Sequence, residues 1–469
     1  MFFDFHEFEG AMALSAIDGD WSYARLFTSS EEIAAVVRPR SLVFLFVRNV
    51  PSAIAGYVGF LNHGIVPVMM DASIAPDLRM NLMELYRPSY LWLPEELAGD
   101  FAAFAPILHK GSYVLLDTGE QTPYPLHEDL ALLMTTSGST GSPKLVRQSY
   151  DNLKANTESI VQYLDLHEDE RAVTNLPLHY VYGLSILNTH LAVGASVVVT
   201  EKTLFDRSFW QLMREKEVTT FSGVPYTYAM LKRLRFFRMD LPALRTLTQA
   251  GGKLDPELHA AFADYAAQTG KEFIVMYGAA EATARMGYLP PQYALEKVGA
   301  MGVAIPGGRF ELIDEAGKEI TDTDTVGELV YYGANVTLGY AMSGADLVRG
   351  DERHGRYETG DLAQRDNDGF YTVVGRKRRF LKMFGKRTNL QEVEHILRQH
   401  FGDIDLACAG VDDHLYVFVT QESLMSEIVP FLSAKLGLHY TAFTAKYIAE
   451  IPKNASGKTV YRDLEQYYD

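Results

Sequence analysis

Apolar positions in the first half of the chain follow two rhythms that take turns. Short unbroken apolar runs, such as Ser-Leu-Val-Phe-Leu-Phe-Val at 41–47, predict buried strands. Stretches with apolar residues three and four apart, such as 51–63, predict helices, and Gly64 supplies a C-cap. An extended pattern resumes at 65–70. Further strands are predicted at 130–135, 196–200, 219–222, 246–248 and 273–277, and helices at 152–164, 225–234 and 256–268. Strands alternating with helices argue for parallel-type α/β subdomains. Beyond Val298, short β-like runs at 310–313, 328–332 and 370–374 sit between Gly, Asp and Asn turns and predict a β subdomain. The run Gly375-Arg376-Lys377-Arg378-Arg379 places glycine and charge after a strand, which suits a surface hinge. The expectation is an α/β fold with a large N-terminal body, 1–375, and a small C-terminal α+β domain, 376–469. No fixed-period repeat and no low-complexity tract interrupts it.

Composition narrows the function classes. The 469 residues are 47% hydrophobic and 22% charged, enough to bury large cores without disulfide or metal staples. Lys and Arg number 43 against 60 Asp and Glu, a net charge of −17, which disfavours nucleic acid as a partner. Small phosphate ligands respond to local charge and stay open. No apolar run approaches the ~18 residues of a membrane span. The start has no basic n-region, its first basic residue being Arg25, so no signal peptide and a cytoplasmic location are expected. A single cysteine, Cys408, excludes an internal disulfide and a multi-cysteine metal site. Its setting, Leu406-Ala407-Cys408-Ala409, predicts a buried strand position.

Chemistry concentrates in Thr135-Thr136-Ser137-Gly138-Ser139-Thr140-Gly141-Ser142-Pro143-Lys144, which follows an apolar strand and precedes helical sequence. Small residues let successive N–H groups converge on anionic oxygens, hydroxyls add donors, and Lys144 adds positive charge. That is chemistry for a polyphosphate. A second loop, Pro452-Lys453-Asn454-Ala455-Ser456-Gly457-Lys458-Thr459, ends like a Walker A loop, but Pro452 stands where the wrapping glycine must be, and no nucleotide domain follows.

Seven collinear pieces resemble the adenylate-forming superfamily of acyl-CoA synthetases, peptide-synthetase adenylation domains and luciferases. They are Thr136 to Lys144, Ala250-Gly251-Gly252, Tyr277-Gly278-Ala279-Ala280-Glu281, Gly327-Glu328-Leu329, Tyr357-Glu358-Thr359-Gly360-Asp361, Gly375-Arg376, and Pro452 to Lys458. The resemblance implies a mobile small domain turning about a hinge near Arg378. It also implies activation of a carboxylic acid by ATP to an acyl-adenylate, followed by transfer to the thiol of CoA or of a 4′-phosphopantetheine carrier. By the resemblance, the nucleotide is held by Thr136, Ser137, Gly138, Ser139, Thr140, Gly141 and Lys144, by Gly251, Gly252, Tyr277 and Gly278, and by Asp361 and Arg376. Glu281 and Thr136 would hold Mg²⁺ as hard oxygen ligands, and Lys458 would reach the reacting carboxylate and α-phosphate. Lys458, Glu281 and Arg376 are thus the expected catalytic residues.

Two departures matter. The family usually has Thr immediately before the metal glutamate, and this chain has Ala280, so one phosphate donor is missing unless water or Thr283 replaces it. At the acid pocket, Pro177-Leu178-His179-Tyr180 stands for the family's Pro-Leu-Phe-His. That segment holds no Asp to pair an ammonium, which disfavours an α-amino acid. His179, Tyr180, Tyr226 and Met276 are the pocket candidates. Residues 376–387 hold seven basic residues in twelve. Arg378 and Arg379 there, with Lys382 and Gly385, are expected to serve the thiol acceptor, docking CoA phosphates or an acidic acyl carrier protein. The alternatives are an amino-acid adenylating enzyme and an acyl-adenylate or nucleotide binder without turnover.

Overall fold

The computed structural model describes every residue except 1, 18, 122, 136–143, 384–385, 403, 455–457 and 469, and omits the side chains of 378, 380, 382, 386, 387 and 389. The chain forms two compact units. One is Met1–Phe310 with Tyr331–Tyr357; the other is Glu311–Val330 with Glu358–Asp469. Residues on both sides of position 375 belong to the second unit.

The first unit is built on two large sheets with parallel centres. In one, Met12–Ala16, Ser196–Val198, Arg171–Val173, Thr220–Gly223, Thr246–Gln249 and Glu272–Tyr277 run parallel side by side. In the other, Tyr90–Pro94, Leu42–Val47, Val66–Asp71 and Leu130–Thr135 do the same. Antiparallel strands close the margins of both sheets around these parallel centres. Helices Pro51–Asn62 and Val181–Ala192 are buried all round, and their apolar residues share one core with strands of both sheets. Local rules set the helix ends. Ser149 and Asn152 form a reciprocal capping box at the start of Tyr150–Leu164. Asp255 accepts from the Glu257 and Leu258 amides before Pro256–Thr269, which ends at left-handed Gly270.

The second unit holds most of a four-stranded sheet ordered Arg309–Ile313, Gly327–Tyr332, Arg356–Arg365, Tyr371–Arg376. It also holds a separate three-stranded sheet of Leu406–Val411, His414–Val419 and Phe443–Tyr447, packed by helices Leu390–Phe401 and Met425–Leu436. Cys408 lies on its first strand, fully buried, and burial pushes its thiol pKa well up. Among the described residues no helix is long and apolar enough to cross a membrane.

Candidate active site

The glycine- and serine-rich segment joins two antiparallel strands. Leu130–Thr135 pairs with Leu145–Ser149, with Thr135 opposite Leu145. The helix predicted at 152–164 is present at Tyr150–Leu164, and the strand Leu145–Ser149 that separates it from the loop was not predicted. The intervening strand is fixed on its other edge by Gly339–Ala341. Arg147 at its centre is fully buried, donating to the carbonyls of Tyr340 and Leu338 and pairing with Glu352. Thr136, Ser137, Gly138, Ser139, Thr140 and Gly141 lie outside the described residues. Lys144, at the end of the loop, places Nζ 3.3 Å from the centroid of the Tyr340 ring.

The same tyrosine meets the expected metal carboxylate. Glu281 sits in a single 3₁₀ turn, Ala280–Ala282, just beyond the strand Glu272–Tyr277. The Tyr340 hydroxyl donates to Glu281 Oε1 at 2.6 Å. The Thr337 amide and hydroxyl both donate to the Glu281 carbonyl at 3.0 Å, which fixes the turn. Arg353 lies 4.7 Å from the Tyr340 ring centroid. Burial first, and then the Glu281 carboxylate, push the Tyr340 pKa up to about 12, so the phenol stays a donor. Lys144, Glu281 and Arg353, from three separate segments, therefore converge on one ring. Tyr340 and Arg353 escaped the sequence reasoning, because a Gly-Tyr pair on a three-residue strand carries no pattern of its own.

The turn leaves no room for a side chain at Gly278. A Cβ there would stand 1.7 Å from the Ala284 carbonyl oxygen, because the chain folds back through positive φ at Thr283 and Ala284. Ala280 packs half-buried against the main core, and its carbonyl accepts from Gln148 Nε2. Thr283 does not replace the missing hydroxyl: its Oγ1 is buried and donates to the Asn335 carbonyl at 2.7 Å. Gly251 has φ +87°, and a Cβ on it would lie 2.7 Å from the Tyr180 hydroxyl. Gly252, next to it, faces Pro225. The Tyr277 ring lies edge-on to Phe310 at 6.3 Å.

Of the four pocket candidates, Tyr180 and Met276 share one apolar cluster with Tyr182, Val224, Ala250 and Ile274. His179 lies beside Asp71, with Nε2 to Oδ2 at 3.8 Å, and its Nδ1 is buried without a partner. Burial holds its imidazole below the ordinary histidine range. Tyr226, 55% exposed on the first turn of Pro225–Arg233, takes no part in that cluster.

In the second unit, Asp361 and Arg376 stand opposite each other across paired strands, and Arg376 Nε contacts Asp361 Oδ1 at 2.8 Å. Asp361 is buried and Arg376 exposed. The Lys458 backbone closes a small hairpin, with a Lys453–Thr459 bridge and an Asn454 amide donating to its carbonyl. The expectation for Arg379 needs correcting. Rather than offering charge to a docking partner, it is 8% exposed and bound inward, donating to Glu394 and to the Cys408 carbonyl at 2.6 Å. Its own unit already neutralises it. The side chains of Arg378 and Lys382, and all of Gly385, lie outside the described residues.

Comparison with known proteins bears on this geometry. A sulfoacetate–CoA ligase from Cupriavidus necator is 30% identical over 82% of this chain and 75% of its own length. A feruloyl-CoA synthase from Amycolatopsis is 26% identical over 93% and 90%. Among solved structures, o-succinylbenzoate CoA synthetase from Bacillus subtilis with AMP superposes with a TM-score of 0.79 at 22% identity, covering 98% of this chain and 96% of that one. That likeness speaks to the fold. Residues 5–341 match the family described as AMP-binding enzyme, and the chain belongs to that family.

Proposed function

We propose that the protein is an AMP-forming carboxylic acid:CoA ligase. ATP and a carboxylate give an acyl-adenylate and pyrophosphate, and the CoA thiol then displaces AMP to leave a thioester. The observation that carries this reading is the convergence of Lys144 and Glu281 on Tyr340 at the end of the phosphate-type loop. The first step brings two anions together, and a lysine beside a metal-binding carboxylate suits that repulsion. Among the described residues no group of three or more His, Cys, Asp or Glu is placed to hold a metal. One carboxylate beside a polyphosphate fits Mg²⁺, which keeps waters and takes substrate phosphate oxygens. Glu281 and Thr136 would hold the ion there, and it would screen phosphate charge. Asp361 has acceptor oxygens for ribose hydroxyls, and Arg376 would bond nucleotide oxygens. Lys458 is the residue assigned to the reacting carboxylate, delivered by a turn of 376–469 about Arg378.

The names of the relatives cited above are those of CoA ligases, which supports CoA as acceptor; docking of an acyl carrier protein would rest on Arg378 and Lys382. A cytoplasmic location belongs to the same reading. The test is acid-dependent ATP–pyrophosphate exchange over a panel of acids, followed by mass analysis of the product with CoA and with a holo carrier protein. Lys458→Ala should lower exchange by about 100-fold or more while ATP still binds. Exchange by Lys458→Ala at the wild-type rate, or ATP binding with no exchange for any acid, would sink the reading.

A further inference from the structure

Arg285 follows Glu281 by four residues, and its side chain is turned into the interior. It is 2% exposed. Nη1 donates to the Tyr163 hydroxyl at 3.1 Å and to the Met276 sulfur, and Nη2 donates to the Ser185 hydroxyl at 3.1 Å. The guanidinium lies 4.4 Å from the Tyr182 ring centroid, and Nε has no partner among the described residues. Every partner it has among the described residues is neutral. Other buried arginines of this chain are treated differently: Arg147 pairs with Glu352, Arg79 with Asp100 and Arg379 with Glu394.

Guanidinium cannot shed its proton inside a protein, so burial without a counter-ion is costly. Its surroundings say where the counter-ion would come from. Met276, Tyr163 and Tyr182 belong to the cluster that also holds Tyr180 and Val224, and those two crowd Gly251. One cluster thus includes residues beside a nucleotide-binding candidate and residues that touch a buried cation without a counter-ion.

Resting on the ligase reading above, we propose that Arg285 binds a second acidic group on the substrate, so that the preferred acid carries a carboxylate or sulfonate besides the one activated. The planar fork with an open Nε–H matches such a group, and the tyrosine hydroxyls beside it can add donors.

The test compares matched pairs in the exchange assay: acetate with malonate and with sulfoacetate, butyrate with succinate, benzoate with phthalate. Wild type should favour the doubly acidic member of at least one pair by about 100-fold in kcat/KM. Which of the malonate and sulfoacetate arms is favoured tells carboxylate from sulfonate. Arg285→Met, similar in length and uncharged, should collapse that ratio to near unity, and its thermal midpoint should not fall. Preference of wild type for the singly acidic member in every pair overturns the proposal while leaving the ligase reading intact. So does an Arg285→Met variant that loses activity equally on both members, since the arginine would then serve the reacting carboxylate. Absence of exchange with every acid overturns the ligase reading and this proposal with it.

Discussion

Glu394 is the hub of a buried ion pair in the second unit, and removing it should destabilise that unit strongly. Its Oε1 accepts from Arg379 Nη2 at 2.6 Å and from the Cys408 amide at 2.8 Å, and its Oε2 accepts from the Tyr461 hydroxyl at 3.3 Å. Arg379 in turn stacks 3.5 Å from the Tyr461 ring centroid. Both charged residues are nearly inaccessible, at 8% and 4% exposure. Truncating Glu394 to Ala strands a guanidinium in the interior and leaves a buried strand amide without its acceptor. Breaking one side of such a pair costs about 3–5 kcal/mol. For a unit of this size that lowers the melting midpoint by roughly 10 °C or more. Calorimetry on the full chain, with urea unfolding as a second measure, reads the effect. The control is Arg379→Met with Glu394→Gln, which removes both charges and keeps an acceptor for Cys408; it should recover to within about 1 kcal/mol of wild type. A loss below about 1 kcal/mol for Glu394→Ala, or a double variant as damaged as the sum of its singles, would refute the reasoning.

Two further outcomes are expected. Ala280→Thr restores a hydroxyl where Thr283 cannot supply one, and a hydrogen bond to a charged phosphate contributes ~1.5–3 kcal/mol, so KM for ATP in exchange should fall by about tenfold or more; an unchanged KM would mean that position does not face the nucleotide. His259 accepts from the Gly299 amide through Nδ1 and donates to the Ala294 carbonyl through Nε2, and burial holds its pKa below the ordinary 6.5. Its neutral form contributes stability that is complete above pH 6.5 and lost as pH falls below it through the depressed value. The acid limb of stability against pH should therefore lose up to about 1.4 kcal/mol per unit of slope in His259→Gln, and an identical limb would count against the assignment.

Where periodicity predicted an element in the first unit, the structure has it to within a residue or two: 256–268 is a helix at Pro256–Thr269 and 273–277 a strand at Glu272–Tyr277. What stayed hidden depends on partners distant in sequence. Leu145–Ser149 has a charged centre and reads as the approach to a helix, until Tyr340 and Glu352 provide the edge and the counter-ion that make it a buried strand. Arg379 sits in a charge run that reads as a docking surface, and Glu394, on the following helix, turns it inward. The motif residues were recognisable as such; Arg285 and Tyr340 were not, because their roles come from what surrounds them rather than from their neighbours in the chain.

Tyr340 has a consequence for how this site can change. Its hydroxyl holds Glu281, its ring carries Lys144 and Arg353, and its carbonyl accepts from Arg147. Substitutions at Lys144 and Glu281 are therefore not independent. Altering either one resets the electrostatics felt by the other through a shared aromatic ring, so their effects combine non-additively. Evolution or engineering that retunes the phosphate site must move these residues as a set. A library that varies them one at a time would miss the combinations that keep the ring, the cations and the carboxylate in balance.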